Sequence, residues 1–377
     1  MTGHRLVLVG GGHTHVQVIR ALAERPEPGV AVTLVTDRLL TPYSGMLPGH
    51  VAGLYGHDQM HIDLARLAGV SGARLVTSAG AGIDRARRVL FTGDGSSVPY
   101  DTLSLNVGVT PDLSGIVGAG RHGIPVKPIG EFLASLEELL AAAAGPDGPR
   151  RVVLVGGGAA GVELALALHA RLGRLDPRGQ PFRIAIATGN GLVSTLNPGV
   201  RQRVRSALAR HGVEVHDDFR VVEIDGAGVR ARDGRFLPAD AVLVSTAARA
   251  PAWLAGTGLA TDAGGFVLTT PQLTSIGDPA VFAVGDCATP SGDPMPKAGV
   301  FAVRQGAALT MNLRRRARGE ALVPHRQSKT YLTILMTGDG SAIAGRGGWF
   351  AVEGRWVWRW KDWIDQRFMK RFNAFRR

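Results

Sequence analysis

The sequence predicts an α/β protein made of two Rossmann-like dinucleotide-binding domains, one inserted into the other, plus a short C-terminal α+β extension. Three stretches predict it. Residues 6–9 form an apolar, β-branched run that enters Gly10-Gly11-Gly12 and then a helix-compatible segment reaching Ala23. Residues 152–155 do the same into Gly156-Gly157-Gly158, with a further glycine at Gly161. Far along the chain, the run Val281 to Val284 ends on Gly285-Asp286. A strand, a glycine turn and a helix start put free N–H groups and the positive end of a helix dipole at one point, which suits a pyrophosphate. Two such units in one chain predict two dinucleotides.

Composition narrows the class. At 377 residues and 45% apolar content, the chain can form two domains and an extension around a large core. No uncharged apolar run reaches the roughly 18 residues of a membrane span. No charged segment followed by an apolar one marks a secretory signal. The single cysteine, Cys287, excludes a disulfide within the chain and a redox-active cysteine pair, and it is expected to be a small buried residue. These features point to a cytoplasmic protein, with peripheral attachment to the inner face of the cell membrane as the further option. The net charge of +12 favours an anionic surface as partner. No nucleic-acid reader motif is present, and no ligand cluster has metal spacing, so neither nucleic acid nor a metal is expected.

In chain order, Val30 to Val35 is the second strand. The acid that usually ends it on the ribose hydroxyls is shifted by one residue to Asp37, whose alternative role is to cap the loop. Thr41 to Gly49 reads as an apolar wall beside a cofactor. Residues 73–107 read as short strands with a hairpin at Gly93-Asp94-Gly95. The Tyr100–Gly108 stretch leads the chain towards the second domain. A helix lies within Pro125 to Ala144, and the second fingerprint follows. Its next strand, Arg183 to Thr188, ends in Thr188-Gly189-Asn190, with no acid for a 2′-hydroxyl and no adjacent arginine for a 2′-phosphate. Thr246 to Pro251 reads as the return crossing. Asp286 suits a carboxylate accepting from ribityl hydroxyls, and Pro296 to Gly299 opens a helix running to about Arg315. This order predicts one domain from 1–112 and 248–320, a second from 113–247, and an extension from 321–377.

The tail reads as a hairpin about Gly354, followed by a helix with Trp360, Ile364, Phe368 and Phe372 on one ridge among Lys361, Arg367, Lys370 and Arg371. Such a helix suits a membrane headgroup region through residues 359–377, or it packs on the body or in a homodimer interface.

The two fingerprints, Tyr100–Gly108 and Phe282–Asp286, in this order, resemble the two-dinucleotide-binding flavoproteins over about residues 1–320. The missing cysteine pair and the basic aromatic tail are similar to type II NADH:quinone oxidoreductases. Gly10–His15, Pro42–Pro48 and Lys361–Met369 resemble flavoproteins associated with selenophosphate synthetase. The resemblance implies FAD at Gly10, Gly12, Gly108, Gly285 and Asp286. His13 and His15 are candidates for cofactor contact or for structural packing. It implies NAD(P)H at Gly156, Gly158, Gly161 and Glu163, with Glu163 near the nicotinamide or merely a charge near a phosphate. Lys297 matches a Pro-Lys element beside the flavin of sulfide:quinone oxidoreductases. With Ala298 at the helix start it stabilises negative charge on the flavin edge, or it is a solvated lysine. Glu163 and Lys297 are the expected catalytic residues.

The implied activity is FAD-dependent oxidation of NAD(P)H, with electrons passed to a quinone or another small-molecule acceptor and no internal disulfide. A reductase of selenium or sulfur species serving a partner enzyme, and a non-catalytic nucleotide-sensing flavoprotein, are the alternatives.

Overall fold

The structure is a computed structural model and describes residues 3–175, 181–246 and 248–374. An eight-stranded sheet joins both ends of the fingerprint region. Its order is Ala288–Pro290, Val267–Thr269, Thr274–Ser275, Asp278–Ala283, Thr102–Leu105, His4–Val9, Val30–Val35 and Arg74–Val76. The late strand Asp278–Ala283 lies parallel to Thr102–Leu105, with Phe282 opposite Ser104. Residues some 180 positions apart in sequence are thereby brought side by side. A second sheet of five parallel strands runs Gly123–Pro125, Ala241–Val244, Arg151–Val155, Arg183–Ala187 and Glu214–His216. Its central strands are apolar on both sides because one face packs on the helices Ala159–Leu172 and Pro198–Arg210 and the other on the antiparallel strands Val221–Asp225 and Gly228–Ala231. The two crossings between sheets meet as an antiparallel pair, Thr110–Pro111 with Ala248–Arg249. Ala247 of the expected return crossing lies outside the described residues.

The C-terminal part is a three-stranded antiparallel sheet, Leu332–Met336, Ala342–Arg346 and Phe350–Gly354, followed by the helix Arg355–Asn373. The expected hairpin about Gly354 is not formed. Phe350–Gly354 pairs back onto Ala342–Arg346, and Gly354 at φ 147° turns the chain straight into the helix. The helix docks on the body through Val357, Lys361, Asp365, Phe368, Met369 and Phe372. Burying each of the large apolar side chains is worth roughly 1.5–3 kcal/mol, which is ample to hold the helix down. The Phe368–Phe372 part of the expected ridge therefore faces protein. Trp356 at 55% and Trp363 at 56% exposure project from the other side, and Trp349, in the turn before the strand Phe350–Gly354, is 87% exposed. Phe375, Arg376 and Arg377 lie outside the described residues.

Candidate active site

A cavity of about 370 Å³ opens where the first glycine turn meets the end of the late strand. Gly10, Gly12 and His13 line one wall, Thr36 to Arg38 one end, and Asn106 to Thr110 the floor. Lys127 to Glu131, Asp286, Gly299 and Ala302 complete it. Gly10 is left-handed at φ +88°, and a Cβ there would meet the Asn106 carbonyl at 2.5 Å. Only glycine lets the turn close this tightly. Gly12 caps the helix His13–Glu24 with no side-chain bond, so this helix start has no polar cap of its own. Asn106 supplies one from across the sheet. Its Oδ1 accepts from Thr14 N at 3.2 Å and His15 N at 3.3 Å, and its Nδ2 donates to Val284 O at 3.0 Å. A Cβ on Gly12 or a side chain on Gly285 would collide with the Asn106 amide. Asn106, which departs from the usual Ala-Thr-Gly of such stretches, is thus the post on which three strand ends and a helix start are fastened.

Asp286 faces the cavity with its Oδ2 2.9 Å from Lys127 Nζ. The sequence reading named Asp286 but missed Lys127, which has no motif to mark it. Asp37 lines the same cavity and is 60% exposed. Gly108 lies on the floor with open space above its Cα. His13 lines the wall, and its Nε2 sits 2.9 Å from Ser44 Oγ. Burial pushes its pKa down to about 4, with only partial compensation from Asp286, so the ring is neutral.

His15 is not in the cavity. Its ring is fully buried, with Nδ1 2.8 Å from Gly10 O and Nε2 2.8 Å from Ser104 Oγ. A carbonyl only accepts, so Nδ1 carries the proton and Nε2 takes one from the serine. Burial likewise pushes this pKa down to about 4. The second unit shows what the position does. There the equivalent residue is Gly161, where a Cβ would collide with Gly156 O. In the first unit a histidine occupies that place and hydrogen-bonds the corresponding carbonyl. The ring thereby ties the glycine turn to the strand Thr102–Leu105.

Lys297 also lies outside the cavity. Its Nζ donates to Ala288 O at 2.6 Å and Thr289 Oγ1 at 2.9 Å and stands 3.9 Å over the Phe266 ring. These partners fasten it to the strand Ala288–Pro290 and away from the cavity, against the expected catalytic role. Ala298 caps the helix Gly299–Ala317, whose first residues Gly299 and Ala302 reach the cavity instead. That helix is anchored to the first one by Thr14 Oγ1 to Ala302 O at 2.7 Å and Gln17 Nε2 to Val303 O at 2.9 Å.

The second fingerprint leaves a clear approach. Gly156 is at φ +123° with Ser245 O against its Cα, and Gly158, the cap of the helix Ala159–Leu172, has open space where a side chain would be. Glu163, two residues after Gly161, does not point to that opening. It is buried under the C-terminal extension, with Oε1 accepting from Met336 N at 3.0 Å. Burial raises its pKa to about 7, although Lys361 opposes the shift. Lys361 is itself buried, donating to Gly45 O at 2.6 Å and Asp365 Oδ2 at 2.8 Å. Burial works against its charge, but Asp365 and Glu163 outweigh it and hold the ammonium pKa above its ordinary range. Tyr43 stacks on Phe368 with centroids 4.5 Å apart. The chain therefore builds an aromatic and ionic joint between the Tyr43–Gly45 segment and the C-terminal helix. Cys287, buried and pushed up to about 11 by that burial, is an inert thiol.

The first glycine turn, the helix start that follows it and the Asp286 carboxylate fit an extended dinucleotide in the cavity. The family model described as pyridine nucleotide-disulphide oxidoreductase matches residues 4–306. A probable ferredoxin reductase of Castellaniella defragrans is 30% identical over 300 residues, covering 75% of this chain and 67% of that protein. An NADH dehydrogenase-like protein of Mycobacterium tuberculosis is 30% identical over 296 residues, covering 75% and 72%. A demethylphylloquinone reductase of Synechocystis is 26% identical, covering 67% and 62%. The sulfide:quinone oxidoreductase structure from Aquifex aeolicus superposes with a TM-score of 0.80 at 18% identity, over 99% of this chain and 92% of that one.

Proposed function

The chain belongs to the pyridine nucleotide-disulphide oxidoreductase family, whose members are NAD(P)H-dependent flavoproteins, and from that premise we propose that it passes electrons from NAD(P)H to a quinone-like acceptor. The observation that carries the reading is the meeting of Gly10, Asn106, Lys127 and Asp286, from four distant parts of the chain, at one cavity, in a chain that builds a second, separate glycine cradle. In this reading residues 1–112 and 248–320 hold FAD and 113–247 hold the nicotinamide nucleotide. Bound FAD supplies the two-electron chemistry between nicotinamide and acceptor. The protein's part is to bind and orient. The backbone N–H groups of the Gly11–His13 turn and Lys127 would meet the pyrophosphate, and Asp286 would accept from ribityl hydroxyls. Asp37 takes the ribose end. Gly156 and Gly158 admit the second pyrophosphate. Neutral His13 can hold a proton on Nδ1 while Nε2 accepts from Ser44 N.

No internal disulfide relays electrons, because the chain has one cysteine. Quinone as acceptor is supported by the likeness to the demethylphylloquinone reductase. It is further supported by the outward-facing Trp356 and Trp363, which share a helix with Arg355, Arg359 and Arg367 and suit a headgroup layer. No described helix is long and apolar enough to cross a membrane. The test is anaerobic mixing of the flavin-loaded protein with NADH and NADPH, followed by a panel of oxidants. Loss of the flavin band and its return with a quinone supports the proposal. A band that stays unchanged with both nucleotides refutes it, and return only with ferredoxin or a selenium compound refutes the quinone.

A further inference from the structure

We infer that Arg220 reads the 2′-phosphate of the nucleotide, so that NADPH rather than NADH is the electron donor; this rests on the oxidoreductase reading above. The strand Arg183–Ala187 ends beside the second glycine cradle, where a dinucleotide fold meets the adenosine ribose. An enzyme that selects NADH places a carboxylate there to accept from the 2′-hydroxyl. Here the strand runs out into Thr188, Gly189 and Asn190. The Thr188 hydroxyl donates to Gly191 O at 3.1 Å and is turned inward, so that a Cβ on Gly157 would come within 2.6 Å of it. It has no free role at the ribose.

What stands at this strand end is a guanidinium from a distant segment. The bare Cα of Gly189 lets Arg220 pack against it; a Cβ there would lie 3.2 Å from Arg220 Cβ. Arg220 Nη2 then donates to Asn190 Oδ1 at 3.0 Å, which aims the side chain along the strand end. Among the described residues no carboxylate pairs with Arg220. Asp217, on the same loop, is engaged by Arg205 at 2.9 Å. Arg220 is exposed and bonded only to a neutral amide, so a doubly charged phosphate is the partner that completes its fork of donors. The arginine was invisible in the sequence because it follows the strand end by some thirty residues rather than one or two.

The experiment uses the flavin-loaded full chain. Calorimetry compares adenosine 2′,5′-bisphosphate with ADP, and stopped-flow follows loss of the flavin band with NADPH and NADH. The inference expects the 2′-phosphorylated ligand to bind more tightly and NADPH to have the higher kcat/KM. Arg220→Ala should cut both advantages by roughly 10- to 100-fold while leaving NADH within about threefold, the scale of losing one charged hydrogen-bond partner. Arg220→Lys should recover part of the loss. Equal or better use of NADH by the parent, or an Arg220→Ala that weakens both nucleotides alike, overturns the inference and leaves the oxidoreductase reading standing. A flavin band unmoved by either nucleotide overturns both.

Discussion

Glu163→Gln isolates one buried proton. Glutamine keeps an oxygen for the Met336 N–H and nearly the same shape, but it cannot ionise. In the parent the Glu163 pKa is raised from 4.5 to about 7, first by burial. Between those values the folded chain keeps a proton that the unfolded chain has released, so this group's contribution to stability falls as pH rises through the window. Integrating the linkage over it gives on the order of 3 kcal/mol. His13 on the cavity wall and the buried His15 act with the opposite sign. His13 and His15 have pKa values lowered from 6.5 to about 4, so between those values the unfolded chain binds protons that the folded chain refuses. Their contribution rises with pH. The parent's stability is therefore flattened where the windows overlap, and the variant's is not. The difference in unfolding free energy, variant minus parent, should grow by on the order of 3 kcal/mol from pH 4.5 to 7 and then level off. The assay is urea unfolding at a series of pH values, read by tryptophan fluorescence. Five of the six tryptophans fall between Trp349 and Trp363, so the signal reports the extension that covers Glu163. A difference that stays flat with pH, to within about 1 kcal/mol, would falsify the assignment of Glu163 as a buried, proton-holding carboxyl.

Lys361→Met leaves Asp365 and Glu163 as buried acids without their cation and should cost about 3–5 kcal/mol, while Lys361→Met with Asp365→Leu should recover most of it; equal losses in the single and double variants would show that the ion pair is not coupled. Asn106→Ala strips the cap from two helix N–H groups and from Val284 O, so it should cost about 1–3 kcal/mol and speed flavin loss on gel filtration; unchanged flavin retention would count against its role as the post of the cavity. His15→Leu should lower the unfolding free energy by about 1–3 kcal/mol but leave nucleotide affinity unchanged, checked by denaturation and calorimetry side by side. Trp356→Ser with Trp363→Ser should abolish sedimentation with anionic vesicles while preserving fold and flavin content; undiminished sedimentation would remove the membrane argument for a quinone acceptor.

The parts of this molecule that were legible in its sequence are those whose physics is local. A β-branched run followed by glycines and a helix-compatible segment declares a strand, a turn and a helix start, because backbone geometry is decided within a few residues. The fold followed from two such units and their order. Side-chain roles did not, because they depend on what the sheet brings alongside. His15 stood open between cofactor contact and structural packing because it follows a phosphate-binding turn; the Ser104 beneath it belongs to a strand whose pairing no short window shows. Lys297 looked poised at a flavin edge because it precedes a helix; the Phe266 ring and the Ala288 and Thr289 oxygens that claim it lie at the edge strand of the large sheet. Lys127 and Arg220 carried no signal at all, each lying in a connection and being aimed by contacts 159 and 30 residues away. The tail shows the same limit from the other direction. Its amphipathic pattern was correct, but a buried lysine paired four residues on with Asp365 reads in sequence as a surface charge pair, and only the Gly45 carbonyl and Glu163 reveal that this face is the inner one.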